Sequence, residues 1–316
     1  MIGAMNPQIS YGEDVISRIA YTNDYPEGRE TLQHKLVDTL NGMIADMSAE
    51  AGVTPEQIVE AVIVGNTAMH HLALGLPVRQ LALAPYVPAV SEALDVPAVE
   101  LGLHIAPGAF VYLPPNIAGF VGADHVAMVL ATDVWKTERT VMAIDIGTNT
   151  EITLASQGRL LCCSCASGPA FEGAHIQDGM RAAPGAIERL QIAGGKVRTY
   201  TIGNQAPVGL CGSGILDAVA EMLRNGLIDA RGALQDVSSR IRHTERGLVR
   251  EFVLVPASDS GHGKDVVVNR SDVHEIQLAK GAIRAGIEIL LGEAGLDSRA
   301  LDEFIVAGAF GTYLDV

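Results

Sequence analysis

Asp145-Ile146-Gly147-Thr148-Asn149-Thr150-Glu151 joins an apolar run over residues 141–146 to a second over 150–156. Short apolar runs separated by Gly-Thr-Asn predict a strand, a tight turn and a returning strand. A further turn at Gln157-Gly158-Arg159 and a third run over 160–166 extend this to a three-stranded meander. Glycine in the first turn lets the backbone approach an anion, and successive N–H groups with threonine hydroxyls can cradle phosphate oxygens. Asp145, at the strand end, can hold Mg²⁺ directly or through water beside those phosphates. The plain alternative is an ordinary hairpin whose Gly and Asn only supply the turn dihedrals.

Working outward, Gly308-Ala309-Phe310-Gly311 follows an apolar strand over 303–307, about 160 residues after the first turn. Small residues there would let a nucleotide base lie against the backbone; packing is the alternative. Two glycine loops lie between. Residues 168–173 have the G-x-x-x-x-G spacing of a P-loop, but Ala174-His175 follows where Lys-Ser/Thr is required, so that reading fails. Gly212, Ser213 and Gly214 open a helix over 215–224, where free N–H groups and the dipole favour an anion. Close helix–sheet packing would demand the same glycines. A long helix is expected over 275–293, and residues 231–263 give no clear period.

Toward the N-terminus the chain divides near 132–140, giving expected units 1–135 and 136–316. Leu32, Leu36, Leu40, Met43, Ile44 and Met47 recur at helical spacing, with Gly52 as the stop. Residues 58–64 read as a buried strand running through Gly65-Asn66-Thr67 into a helix over 68–74, the pattern of a parallel α/β sheet. A proline-studded excursion, a strand over 110–113 and a small-residue helix over 117–131 follow.

Composition excludes several classes. With 316 residues, 48% apolar and 19% charged, general disorder is excluded. A net charge of −15 argues against a nucleic-acid backbone binder, and 4% aromatics against an aromatic-lined groove. No apolar run reaches the roughly 18–20 residues of a membrane span, and the opening residues lack a signal-peptide pattern, so the expected location is cytoplasmic. Cys162, Cys163, Cys165 and Cys211 form no disulfide framework and no C-x-x-C pair. Alternation along a strand sends Cys163 and Cys165 to one face and Cys162 to the other, so buried structural thiols are expected. His274-Glu275 lacks the second histidine of a zinc motif, while His70, His71 and Asp124-His125 read as packing. The only metal expected is Mg²⁺ travelling with a nucleotide.

Together these segments resemble the actin/Hsp70/sugar-kinase ATPase fold, an α/β architecture of two ribonuclease-H-like subdomains. There D-x-G-T forms a phosphate loop, a helix such as that over 115–131 connects the halves, and Gly308–Gly311 corresponds to an adenosine loop. One family within the fold is closer. Asn6-Pro7-Gln8, Tyr11-Gly12-Glu13-Asp14-Val15-Ile16-Ser17-Arg18, Val64-Gly65-Asn66-Thr67-Ala68-Met69, the Asp145 stretch, residues 168–173, Gly212-Ser213-Gly214 and Ala279-Lys280-Gly281-Ala282-Ile283 resemble the ATP-dependent reductive activators of corrinoid proteins.

The resemblance implies a job: returning one electron to inert cob(II)alamin to regenerate cob(I)alamin, with ATP driving the uphill step. Its partner would be the corrinoid protein of a methyltransferase system. It implies that Asp145 positions Mg²⁺ and that Gly147, Thr148, Asn149 and Thr150 hold ATP phosphates. Gly212, Ser213 and Gly214 would be second-loop contacts, Gly308, Ala309, Phe310 and Gly311 would flank adenosine, and Glu151 or Glu172 would orient water. A homodimer is left open; nucleic acid and membrane are not expected.

Three departures accompany the resemblance. The family's [2Fe–2S] centre belongs to an N-terminal domain, and no C-x₄-C-x₂-C motif for it occurs here. The chain begins after the place of the family's first D-x-G-T hairpin, and it stops just past the adenosine-like loop, so it reads as trimmed at both ends. A small-molecule kinase of the same fold is the rival, although no acceptor pocket or acid/base candidate stands out. The [4Fe–4S] activators of acyl-CoA dehydratases and a non-catalytic nucleotide-binding or interaction module remain further alternatives.

Overall fold

Asp14, Asn66 and Asn269 each turn a side-chain oxygen onto the free N–H groups of a helix start, and these caps fix three helices. The computed structural model describes residues 2–243 and 249–311, and the chain divides into two units, Met1–Trp135 and Lys136–Val316.

In the first unit, α1 (Val15–Asp24) and α2 (Gly28–Ala51) precede β1 (Glu60–Val62) and α3 (Thr67–Ala73). Gly52, at φ +70°, ends α2 as the sequence predicts. β2 (Leu94–Pro97) and β3 (Phe110–Leu113) complete a sheet of order β1-β3-β2, with β1 parallel to β3. α4 (Ala123–Ala131) closes the unit.

Two expectations are corrected here. The strand over 58–64 shrinks to three residues at the sheet edge, leaving Val59 72% and Val62 59% exposed. One hydrogen-bonded neighbour at a sheet edge buries far less than the buried strand expected. The helix over 117–131 begins only at Ala123, because 114–122 packs as irregular backbone. A Cβ at Gly119 would overlap the Tyr86 carbonyl, and one at Gly122 would stand 2.6 Å from the Gly65 carbonyl.

In the second unit the meander forms as expected: β4 (Val141–Ile146), β5 (Thr150–Ser156) and β6 (Arg159–Cys165). β13 (Glu303–Ala307) adds parallel to β4, giving order β13-β4-β5-β6. A second sheet holds β7 (Ala186–Ala193), β8 (Lys196–Thr201) and β9 (Gly209–Leu210); a third holds β10 (Ile241–His243), β11 (Arg250–Val255) and β12 (Val266–Asn269). β10 and β11 fall within 231–263, where the sequence alone gave no assignment, and residues 244–248 of that stretch lie outside the described residues. α5 (Gly212–Arg224) starts at the glycines themselves, and α6 (Arg270–Ala294) starts five residues before the expected 275 because Asn269 and Asp272 form a capping box. α7 is one turn, Gly308–Gly311. Among the described residues, no helix is long and apolar enough to cross a membrane.

Candidate functional site

Strand register puts the acidic residues of the first turn together. Asp145 pairs with Glu151 across β4–β5, and Glu151 pairs with Ser164 across β5–β6. Directly opposed residues share a face, so Asp145, Glu151 and Ser164 lie on one side of the sheet. Ser164 donates to Glu151 at 3.1 Å. Their neighbours Ile152 and Cys163 point the other way, toward α6 at Gly286.

The turn at 147–149 is clasped from below. Ser167 is buried; its Oγ lies 2.7 Å from Thr150 Oγ1 and donates to the Gly147 carbonyl at 3.1 Å. Gly168 N–H donates to the Thr148 carbonyl at 2.9 Å. The Thr150 hydroxyl is therefore engaged beneath the turn, whereas Thr148 Oγ1 donates to the exposed Glu172 carboxylate.

One more segment meets Asp145 directly, and two others pack against that segment. Ala307 of β13 is its parallel partner, and the next residue, Gly308, sits at φ +78° where a Cβ would overlap Asp145 Oδ1. Phe310 packs on Phe171 with ring centroids 5.3 Å apart and planes at 33°. The Phe171 backbone and the Phe310 ring press on the start of α5: a Cβ at Gly212 would overlap the Phe171 carbonyl and stand 2.7 Å from Phe310 Cε2. A Cβ at Gly214 would overlap the Ile187 carbonyl, so packing by itself demands both glycines.

Cys211, the N-cap of α5, makes no side-chain bond to the cap; its Sγ donates to the Ile187 carbonyl at 3.2 Å and lies 3.5 Å from the buried Ser213 hydroxyl. Four chain segments thus meet: 145–149, 168–173, 211–214 and 307–311. The side chain of Ala309 lies outside the description.

Burial pushes the Asp145 carboxyl up from the usual aspartate value. A half-buried carboxylate beside a second one, at a glycine-walled turn, suits a cation that partly neutralises both. Mg²⁺ binds in this way through one or two carboxylates and substrate phosphates. Among the described residues no group of three or more His, Cys, Asp or Glu side chains could hold a metal ion. The thiols do not suit an iron–sulfur cluster: Cys163 and Cys165 face α6, Cys162 lies opposite Thr153, and Cys211 caps α5.

The sequence singled out neither Ser167 nor Phe171. Ser167 could have been found as the first polar residue beyond a strand that returns to the turn; Phe171 had no signal apart from its glycine loop.

The model of the family described as the C-terminal ASKHA domain of RACo matches residues 139–316, and that of the RACo middle region matches 1–137. The chain belongs to the RACo family. Its fold is accordingly the actin/Hsp70-like ASKHA type, as the sequence resemblance implied. This RACo-family chain is 37% identical over 319 residues to the corrinoid activation enzyme RamQ of Eubacterium limosum, covering 99% of this chain and 54% of that protein. It is 25% identical over 321 residues to the [Co(II) methylated amine-specific corrinoid protein] reductase of Methanosarcina barkeri, covering 91% and 54% respectively. The solved structure of a reductive activator for corrinoid, iron–sulfur protein matches with a TM-score of 0.88 at 42% identity, over 99% of this chain and 50% of that one. The chain spans about half the length of the relatives it matches.

Proposed function

We propose that this chain is the nucleotide-binding part of an ATP-dependent reductive activator that returns the cob(II)alamin of a corrinoid protein to cob(I)alamin. One observation carries the reading: at the β13–α7 junction Gly308 leaves, beside the half-buried Asp145 carboxylate, the space a Cβ would fill, and Phe310 of the same turn packs on the start of α5. The relatives' names supply the corrinoid protein as partner.

In this reading Asp145 holds Mg²⁺ with Glu151 across the hairpin, and Gly147, Thr148 and Asn149 present N–H groups and a hydroxyl to the phosphates. Thr150 and Ser167 keep that turn in shape from below. Glu172, tied to Thr148, is the better placed of the two glutamates to sense what the turn binds. The start of α5 offers its free N–H groups to an anion through Gly212 and Ser213, while Gly214 serves the packing. Gly308, Ala309, Phe310 and Gly311 border the nucleoside. Bound Mg-ATP supplies the free energy that makes one-electron reduction of cobalt favourable.

The thiols present do not fit a cluster, so the electron is assigned to a source other than these residues. Residues 136–316 are read as the ribonuclease-H-like subdomain with the phosphate and adenosine loops, and 1–135 as part of its counterpart. A methyltransferase system in the cytoplasm is the setting proposed, with a second copy of the chain as a further partner.

The test is calorimetric titration of Mg-ATP into the chain and into Asp145→Ala, followed by cob(II)alamin absorbance with the full-length protein, its corrinoid protein and a low-potential donor. The expected result is binding that weakens at least about tenfold in the variant, and ATP-dependent decay of cob(II)alamin. Equal affinity in both proteins, or phosphoryl transfer to a small-molecule acceptor, would overturn the reading.

A further inference from the structure

Two thiols sit on the face of β6 that α6 covers. Cys163 and Cys165 are two residues apart on the strand, so both point the same way, and their sulfurs are 3.9 Å apart. α6 approaches them at Gly286, where a Cβ would overlap Cys165 Sγ and stand 3.2 Å from Cys163 Sγ. Nucleotide binding as proposed above uses neither thiol. Yet β6 runs straight into the clasp under the phosphate turn: Cys165 pairs with Thr150, its carbonyl accepts from Ser167 N–H at 2.9 Å, and Ser167 Oγ holds Thr150 and Gly147.

We propose that Cys163 and Cys165 form a reversible disulfide that loosens the phosphate turn, so that a peroxide-class oxidant weakens nucleotide binding. The consequence rests on the nucleotide reading; the thiol chemistry does not. The Cys165 thiolate attacks the O–O bond of the peroxide, giving a sulfenic acid and hydroxide. The Cys163 sulfur then attacks the Cys165 sulfur, forming the S–S bond; the sulfenic hydroxyl leaves with the Cys163 proton as water. Two thiols lose two electrons and the peroxide gains them. The direction of attack follows from the pair itself. The Cys163 S–H beside Cys165 holds the Cys165 thiol below the ordinary cysteine range, while Cys165 and burial push the Cys163 thiol up.

Geometry sets both reach and reversibility. Residues i and i+2 of a strand have Cα atoms about 6.4–6.8 Å apart, the upper end of what a disulfide spans. Bringing the sulfurs to bonding distance therefore makes β6 pucker at Ser164. That residue is opposite Glu151 and bonded to it, one position from the Thr150–Cys165 pair. The distortion is delivered to the clasp. A disulfide closed under such strain is readily reopened by small thiols.

The experiment treats the chain with hydrogen peroxide, with and without later dithiothreitol, and reads the tryptic peptide 160–181, Mg-ATP affinity and amide exchange of residues 147–150. The expected result is loss of two hydrogens from that peptide, reversed by dithiothreitol, retained in Cys162→Ser and absent in Cys163→Ser and Cys165→Ser. Mg-ATP affinity should fall at least about tenfold on oxidation and recover on reduction, while untreated Cys163→Ser binds like the parent and, unable to close the bond, keeps that affinity after peroxide. Oxygen addition without a Cys163–Cys165 bond would overturn the proposal. So would a bond that leaves exchange at 147–150 unchanged, whether or not nucleotide binds. Failure of the reduced chain to bind Mg-ATP counts against the nucleotide reading instead, because exchange still reports the coupling.

Discussion

Gly308 is where conformation and chemistry constrain the same atom. At φ +78° an L-residue is strained by roughly 1–2 kcal/mol, and its Cβ would overlap Asp145 Oδ1. Gly308→Ala should therefore cost more than strain, because the carboxylate must move: Mg-ATP affinity is expected to drop at least about tenfold. Titration alongside thermal unfolding checks this; normal affinity in a folded variant would remove Asp145 from the site. Ser167→Ala leaves the Gly147 carbonyl and Thr150 hydroxyl short of a buried partner, at about 1–3 kcal/mol. It should raise the exchange rate of the turn before it unfolds the sheet. At this scale the sequence brings Asp145 and Gly308 forward from two distant stretches, and the structure sets them side by side. Ser167 is not legible in this way, because its role exists only once β6 has returned beneath the turn.

At the scale of elements, α6 over β5–β6 shows how closely a helix can approach when a glycine lies at the contact. Gly286→Ala would drive a methyl into Cys165 Sγ, with Ile152 Cδ1 at 3.1 Å and Cys163 Sγ at 3.2 Å. Overpacking of this kind costs about 1–3 kcal/mol, and helix propensity returns at most about 1 kcal/mol. The variant is expected to be less stable in urea, and Cys165→Ala in the same chain should restore much of the loss. Additive losses would mean that the sulfur is not what the methyl meets. Periodicity and caps made α2, β3, β4, β5, β6 and β13 legible in advance. The start of α6 is set by the Asn269–Asp272 capping box, which lies ahead of the apolar period that predicts the helix. The helix expected over 117–131 is longer than α4 because Gly119 and Gly122 serve close backbone contacts instead of helical turns. β1 was expected to be buried because an apolar run does not say whether its strand is central or marginal.

For the whole molecule, the two units should respond differently to mild acid. His70 and His125 are 2% and 1% exposed in the first unit, and burial holds both at about 4, below the ordinary 6.5. Neither ring nitrogen of His70 has a hydrogen-bond partner, and His71 Nε2 accepts from Ala89 N–H at 2.9 Å, which protonation would end. A histidine with a lowered folded value contributes stability that is fully present above about pH 6.5 and is lost as pH falls toward 4. By pH 5 the loss is about 2 kcal/mol for each of His70 and His125. In the second unit burial raises Asp145 and Asp272, groups that hold protons more tightly folded than unfolded, so acidification there relieves a cost. Between pH 7 and pH 5, amide protection in α3 and α4 should fall, after correction for intrinsic rates, while that of β4–β6 holds. His70→Asn should flatten the decline in α3 and α4 by about half. Parallel loss in both units, or an unchanged slope in His70→Asn, would show that carboxylates elsewhere govern the acid response.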